Sequence, residues 1–135
     1  MNLAYLLDTN ILIALLRGRG EAARARLKTE NGRLAVSAVT VMELEYGLAL
    51  SGAGERRRAQ VQSLLGLMTP LPFDEAAANN AGRLRAQLDR TGRPIGPYDA
   101  LIAGHARCLG LTVVTDNVAE FARVPGLMVE NWLRP

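Results

Sequence analysis

Short apolar runs alternate with helical stretches along this chain, and that alternation limits the fold more than any other feature. Residues 3 to 7 read as a strand and 9 to 17 as a helix, stopped by Arg17-Gly18-Arg19-Gly20. Residues 21 to 31 read as a polar helix. Residues 34 to 36 read as a second strand, followed by a helix through VTVMELEYGLAL, with Ser37 a plausible cap and Thr40 and Glu43 at capping-box spacing. Ser51-Gly52-Ala53-Gly54 is a loop, and ERRRAQVQSLLGL is a further helix. Residues 69 to 73 carry two prolines and suit a short connection or an edge strand. Asp74 caps a long helix to about Arg90, and Pro97 opens another that ends at Gly110. LTVVT, 111 to 115, is a strand; a short helix and a last strand near 127 to 129 follow. Strands separated by helices pair in parallel and are covered on both faces, so the expected class is α/β.

In such sheets ligands bind beyond the carboxyl ends of the strands. That rule singles out YLLDTN, where an apolar strand ends directly on Asp8, and LTVVTDN, where another ends on Asp116. Glu43 sits within the apolar stretch AVTVMELEYGL, and Asp99 lies in the first turn after Pro97. Each acid has a plain structural reading: Asp8 as a helix cap, Glu43 as half of a capping box, Asp99 as an acid favoured by a helix N-terminus, Asp116 as a turn residue. Gathered at one crevice, they would do something else. Two carboxylates 5 Å apart repel by about 3 kcal/mol at an effective dielectric near 20, so several together demand a cation. An all-oxygen donor set suits Mg²⁺ or Mn²⁺ rather than zinc.

Composition narrows the setting. The 135 residues suit one domain, 1–135, and contain no internal repeat. No apolar run approaches the roughly 18 residues that span a bilayer, and the N-terminus lacks a secretory signal pattern. Cys108 is the only cysteine. A cytoplasmic protein without a membrane partner is the expectation. Sixteen basic residues, all arginine except Lys28, oppose 13 acidic ones. Placing four acids in one site leaves 13 − 4 = 9 against that basic surface. Arginine forks suit phosphate oxygens, so an acidic pit in a basic surface fits phosphodiester hydrolysis.

Competing motifs fare worse. A receiver-type phosphoacceptor needs a lysine at a late strand end, and Lys28 is in the polar helix. A haloacid-dehalogenase-type phosphatase wants an acid where Asn10 stands. Gly18-Arg19-Gly20 follows a helix, not a strand, and is no dinucleotide fingerprint. His105 reads as structural, Phe121 and Trp132 as core, and Arg56-Arg57-Arg58 as a solvated helix start or an RNA contact. Val61, Leu64 and Leu65 are core or a partner surface.

Four ordered segments, LLDTNILI, ELEYG, IGPYDALIAGHA and VVTDNVAEF, together with the ending VPGLMVENW, resemble the PIN-domain ribonucleases. Within that family they are similar to the VapC toxins of bacterial toxin–antitoxin modules. The resemblance spans nearly the whole chain. It implies a three-layer α/β/α sandwich with a mostly parallel sheet of about four to five strands. It implies a Mg²⁺-dependent endoribonuclease, with Mn²⁺ also supporting activity, acting on structured RNA such as tRNA. Asp8, Glu43 and Asp99 match the family's acidic positions; Asp8 and Asp99 would be the main metal ligands, and Glu43 would bind metal or orient water. Either Asp116 or Asn117 would fill the fourth position. Thr9 and Thr115 would hold waters beside the metal, and Asn10 would orient Asp8. Attack by activated water would leave a 5′-phosphate and a 3′-hydroxyl. The partners implied are a cognate antitoxin, a second copy of the chain in a homodimer, and promoter DNA reached only through the antitoxin. A PIN fold that has lost its chemistry, or a housekeeping nuclease, is the alternative.

Overall fold

The computed structural model describes residues 2–134. Five strands form one sheet: β1 (Tyr5–Leu7), β2 (Leu34–Ser37), β3 (Thr69–Leu71), β4 (Thr112–Val114) and β5 (Val129–Glu130). Every pairing among them is parallel, in the order β3-β2-β1-β4-β5. Seven helices intervene: α1 (Thr9–Leu16), α2 (Glu21–Thr29), α3 (Ala38–Ser51), α4 (Glu55–Leu65), α5 (Glu75–Arg90), α6 (Pro97–Leu109) and α7 (Val118–Phe121). The Pro70 segment is the edge strand β3, where its missing N–H costs the sheet least.

Side chains alternate across a strand, and here that alternation divides two cores. Leu7, Val36 and Val114 point to a core closed by Ile11, Leu12 and Leu15 of α1, Leu27 of α2 and Val61 and Leu64 of α4. Leu6, Ala35 and Val113 point to the other, closed by Leu84 and Leu88 of α5, Ile102 and Ala103 of α6, and Phe121. The sandwich is therefore three-layered. Full burial of each such side chain contributes about 2 kcal/mol. Val61 and Leu64 belong to this core, and Leu65 packs beside it. Phe121 and Trp132 are buried as expected, and His105 is buried with Nδ1 2.9 Å from Ser37 Oγ and its ring edge-on to Phe73.

Of the two caps that the sequence offers for α3, Ser37 forms and the Thr40–Glu43 box does not. Ser37, ending β2, caps α3 by accepting from Val39 N at 3.1 Å. Thr40 therefore lies inside the helix, and no Thr40–Glu43 capping box forms. The strand already ends at Ser37, so the helix starts three residues before a Thr40 cap would place it. This frees Glu43 for other partners.

Helices α5 and α6 cross closely because Gly104 lies against Ala81. A Cβ on Gly104 would come within 2.5 Å of Ala81 Cα and 2.7 Å of its N, both backbone atoms that cannot swing away. We expect Gly104→Ala to force the helices apart and cost about 1–3 kcal/mol, read as a lowered midpoint in urea; an unchanged midpoint would show that the crossing is loose.

Strands β2 and β3 step outward from β1 on one side, and the chain then returns to place β4 on the other. The order reverses between β1 and β4, which makes the space beyond their carboxyl ends the crevice where open α/β sheets bind ligands.

Candidate active site

Asp8 stands at that reversal. Its backbone N–H continues the ladder by donating to Val114 O at 2.9 Å. Its side chain caps α1, as Oδ1 accepts from Thr9 N at 2.8 Å. Oδ2 accepts from the Thr115 hydroxyl at 2.8 Å, a bond from the residue that follows β4. The carboxyl is only 1% exposed. Burial lifts its pKa from 3.8 to about 6, against the lowering effect of these two donors and with the charges of Glu43 and Asp116 adding to the rise. The capping reading and the functional reading thus describe one side chain.

Glu43 is joined to Asp8 through the next residue. The Thr9 hydroxyl lies 2.7 Å from Glu43 Oε1 and donates to it, and it is also 3.1 Å from Thr40 Oγ1. Asp99, in the first turn of α6, meets the same group. Burial first, then the negative charges of Asp8, Glu120 and Glu43, raise its pKa to about 7. Asp8, Glu43 and Asp99 therefore feel one another across the crevice, brought there from β1, α3 and α6. Glu45, two residues from Glu43, faces outward and pairs with Arg58 at 2.9 Å.

Asp116 is exposed at the rim, close enough for its charge to act on Asp8. Asn117 donates from Nδ2 to Glu120 Oε2 at 2.6 Å, and its backbone N–H donates to the Thr115 hydroxyl at 3.0 Å. Asn117 thus holds Glu120 on one side while its backbone helps orient Thr115 on the other. Asn10 is exposed on α1 and makes no side-chain hydrogen bond among the described residues.

Glu120 is the acid that sequence reasoning missed. It accepts from the Gly96 backbone N–H, which ties the loop before α6 to α7. That bond, with help from Asn117, Asp99 and Arg123, holds its carboxyl below the usual range. Its interaction with Asp99 lowers Glu120 and raises Asp99. The available signal was its spacing, three residues after Asn117, which is where a side chain reaches back to a helix start.

These acids are a hard, all-oxygen donor set without histidine or cysteine, and buried carboxyls raised to about 6 and about 7 are groups that a cation would return to their charged form. The residues fit Mg²⁺ or Mn²⁺ in type. They do not form a closed cage: among the described residues no three acids, histidines or cysteines stand close enough to hold an ion by themselves. A Mg²⁺ ion, which keeps several waters and shares phosphate oxygens, asks for only one or two carboxylates.

Comparison with known proteins agrees with this geometry. The PIN domain family profile matches residues 5–127. The tRNA(fMet)-specific endonuclease VapC of Shigella flexneri is 44% identical over 130 residues, covering 96% of this chain and 98% of that protein. Ribonuclease VapC2 of Haemophilus influenzae is 39% identical over 131 residues, covering 97% and 99%. Among solved structures, DNA-bound VapBC from Salmonella typhimurium superimposes with a TM-score of 0.92 at 43% identity, over 96% of this chain and 98% of the other. FitAcB from Neisseria gonorrhoeae does so at 0.82 and 32%, over 97% and 99%. With the sheet order, the acids at its reversal and these likenesses in agreement, the chain belongs to the PIN-domain family, in its VapC branch.

Proposed function

We propose that this chain is a Mg²⁺-dependent endoribonuclease toxin that hydrolyses phosphodiesters of structured RNA, tRNA among them, and is neutralised by a cognate antitoxin. The observation that carries the reading is the meeting of buried Asp8 with Asp99 and Glu43 at the β1/β4 reversal, with no cationic side chain hydrogen-bonded to any of the three among the described residues. The tRNA(fMet)-specific endonuclease of Shigella flexneri supports the substrate class. The VapBC complex with DNA supports an antitoxin partner, and DNA contact through it.

Asp8 and Asp99 would hold the ion. Mg²⁺ bound there would supply Lewis-acid polarisation of a phosphoryl oxygen and a lowered pKa for water. Thr115 fixes the face that Asp8 turns to the crevice. Thr9 holds Glu43 where it can accept a proton from an attacking water or take a place beside the ion. Asp99 must give up its proton to solvent for the ion to bind, and Glu120, held below the usual carboxylate range by Gly96 and Asn117, keeps a negative charge beside it. Exposed Met42, Tyr46 and Leu50, spaced at i, i+4 and i+8 along α3, form an apolar row that supports association with another protein, the second copy of a homodimer included.

Incubation of the purified protein with total tRNA tests the reading. Cleavage in Mg²⁺ or Mn²⁺, abolished by a chelator and leaving 5′-phosphate ends, is the expected result. Cleavage that survives chelation, or leaves 2′,3′-cyclic phosphates, would overturn it.

A further inference from the structure

Two kinds of groove open from the acidic crevice, on either side of α1. On the Glu43 side the walls are mostly aliphatic, formed by Ile13, Leu16, Leu44, Leu48 and Val61, with Arg17 and Arg57 beside them; Arg17 borders both grooves. On the Asp116 side lies a groove of about 490 Å³ with a different lining. Asn10, Ile13, Ala14 and Arg17, at i, i+3, i+4 and i+7, are one face of α1, and Arg19, Asn131 and Arg134 complete it. Arg17, Arg19 and Arg134 are exposed, and among the described residues none has an ion-pair partner within 4.0 Å. Three guanidiniums without ion-pair partners thus line a groove that also holds exposed Asp116, whose charge reaches buried Asp8.

The groove's far wall is also fixed. Gly20 adopts φ +87°, and a Cβ there would lie 2.5 Å from Leu133 Cδ2, so the glycine lets the C-terminal segment pack against the turn that carries Arg19. Asn131 Oδ1 accepts from Leu133 N at 2.9 Å and Arg134 N at 3.2 Å, which holds that segment in place. Arg19 and Arg134 are thereby kept on the same groove. Along α1 the seven residues from Asn10 to Arg17 span about 10 Å, so the arginines lie beyond the reacting centre rather than on it.

We propose that this groove, through Arg17, Arg19 and Arg134, grips the RNA backbone that flanks the scissile phosphate and so sets where along a strand the acidic site cuts. The proposal rests on the nuclease reading above. Guanidinium forks match phosphate oxygens, and Asn10 and Asn131 add uncharged donors that suit sugar hydroxyls. The groove across α1 is walled mainly by aliphatic side chains and holds Arg57 and the shared Arg17 as its only guanidiniums among the described residues. Arg19→Gln with Arg134→Gln removes two charges that line the polar groove and not the aliphatic one; Arg56→Gln with Arg57→Gln removes two from the other side of α1 and serves as a charge-matched control.

Binding of a fluorescein-labelled single-stranded oligouridylate to Asp8→Asn protein, measured against salt, reads the effect without cleavage. The groove pair should lower the slope of log K against log salt by about 1.4 and weaken binding at low salt by about tenfold, and Arg134→Gln alone should lower the slope by about 0.7. The control pair should leave the slope at the parent value. Equal losses from both pairs, or an unchanged slope in the groove pair, would overturn the proposal while leaving the nuclease reading intact. Absence of RNA binding by the parent, together with absence of cleavage by the wild type, would overturn both. Displacement of the RNA by poly-glutamate more readily than by unlabelled poly-uridylate would assign the groove to an acidic protein segment and also overturn the proposal.

Discussion

Asp8→Asn should lower RNA cleavage in Mg²⁺ by about 10³-fold or more while leaving the chain folded. The loss is large because the side chain sits where three elements meet, and removing one charged partner of a transition state in a water-poor site costs several kcal/mol. The fold survives because asparagine replaces most of what Asp8 does structurally. Its Oδ1 can still accept from Thr9 N, and its Nδ2 can donate to the Thr115 hydroxyl, which reverses the direction of that bond. Initial rates on labelled tRNA, with circular dichroism on the same samples, check both halves. Wild-type rates in the variant would remove Asp8 from the metal site.

The same substitution should also stabilise the metal-free protein, in a pH-dependent way. Burial raises the Asp8 pKa from 3.8 to about 6. Below about pH 4 the carboxyl is protonated in the folded and the unfolded chain and costs nothing. As pH rises from 4 to 6 the unfolded chain releases its proton first, so stability is lost. Above 6 the cost is constant, at about 3 kcal/mol. Asp99, raised to about 7, acts in the same sense. His105, lowered by burial, acts oppositely, losing stability as pH falls through its ordinary 6.5, and Glu120, also lowered, loses it as pH falls below 4.5. The stability difference between wild type and Asp8→Asn cancels those two. In chelator, urea unfolding should show the variant gaining by about 3 kcal/mol between pH 4 and pH 7.5. A gap that does not change with pH would contradict the buried, metal-free carboxylate. Metal narrows that gap without closing it: for a Kd of about 1 mM, 10 mM Mn²⁺ at pH 7.5 should add about 1.4 kcal/mol to the wild type and much less to the variant.

The sheet and most of the site were legible for a physical reason. Apolar runs such as YLL, LAV and TVV have one stable destination, and helices between them force parallel pairing. Once β1 and β4 are neighbours, a carboxylate at the end of β1 has only the crevice to face. What stayed hidden depends on contacts distant in sequence. The Thr9 bond to Glu43 spans 34 residues and the Thr115 bond to Asp8 spans 107. Glu120 lies on a four-residue helix, too short to show which face it turns inward. Ser37 and Thr40 carry the same hydroxyl chemistry three residues apart, and only the end of β2 decides which one caps. Arg17 and Arg19 read as a helix stop, because their groove needs the C-terminal segment folded against Gly20.

Anomalous diffraction from crystals soaked in Mn²⁺ tests the central claim most directly. The account predicts a single strong peak, or an adjacent pair, within coordinating distance of the Asp8 and Asp99 carboxylates at the β1/β4 reversal, absent in Asp8→Asn crystals. A fully soaked wild-type crystal with its manganese elsewhere, or with none at that crevice, would contradict it.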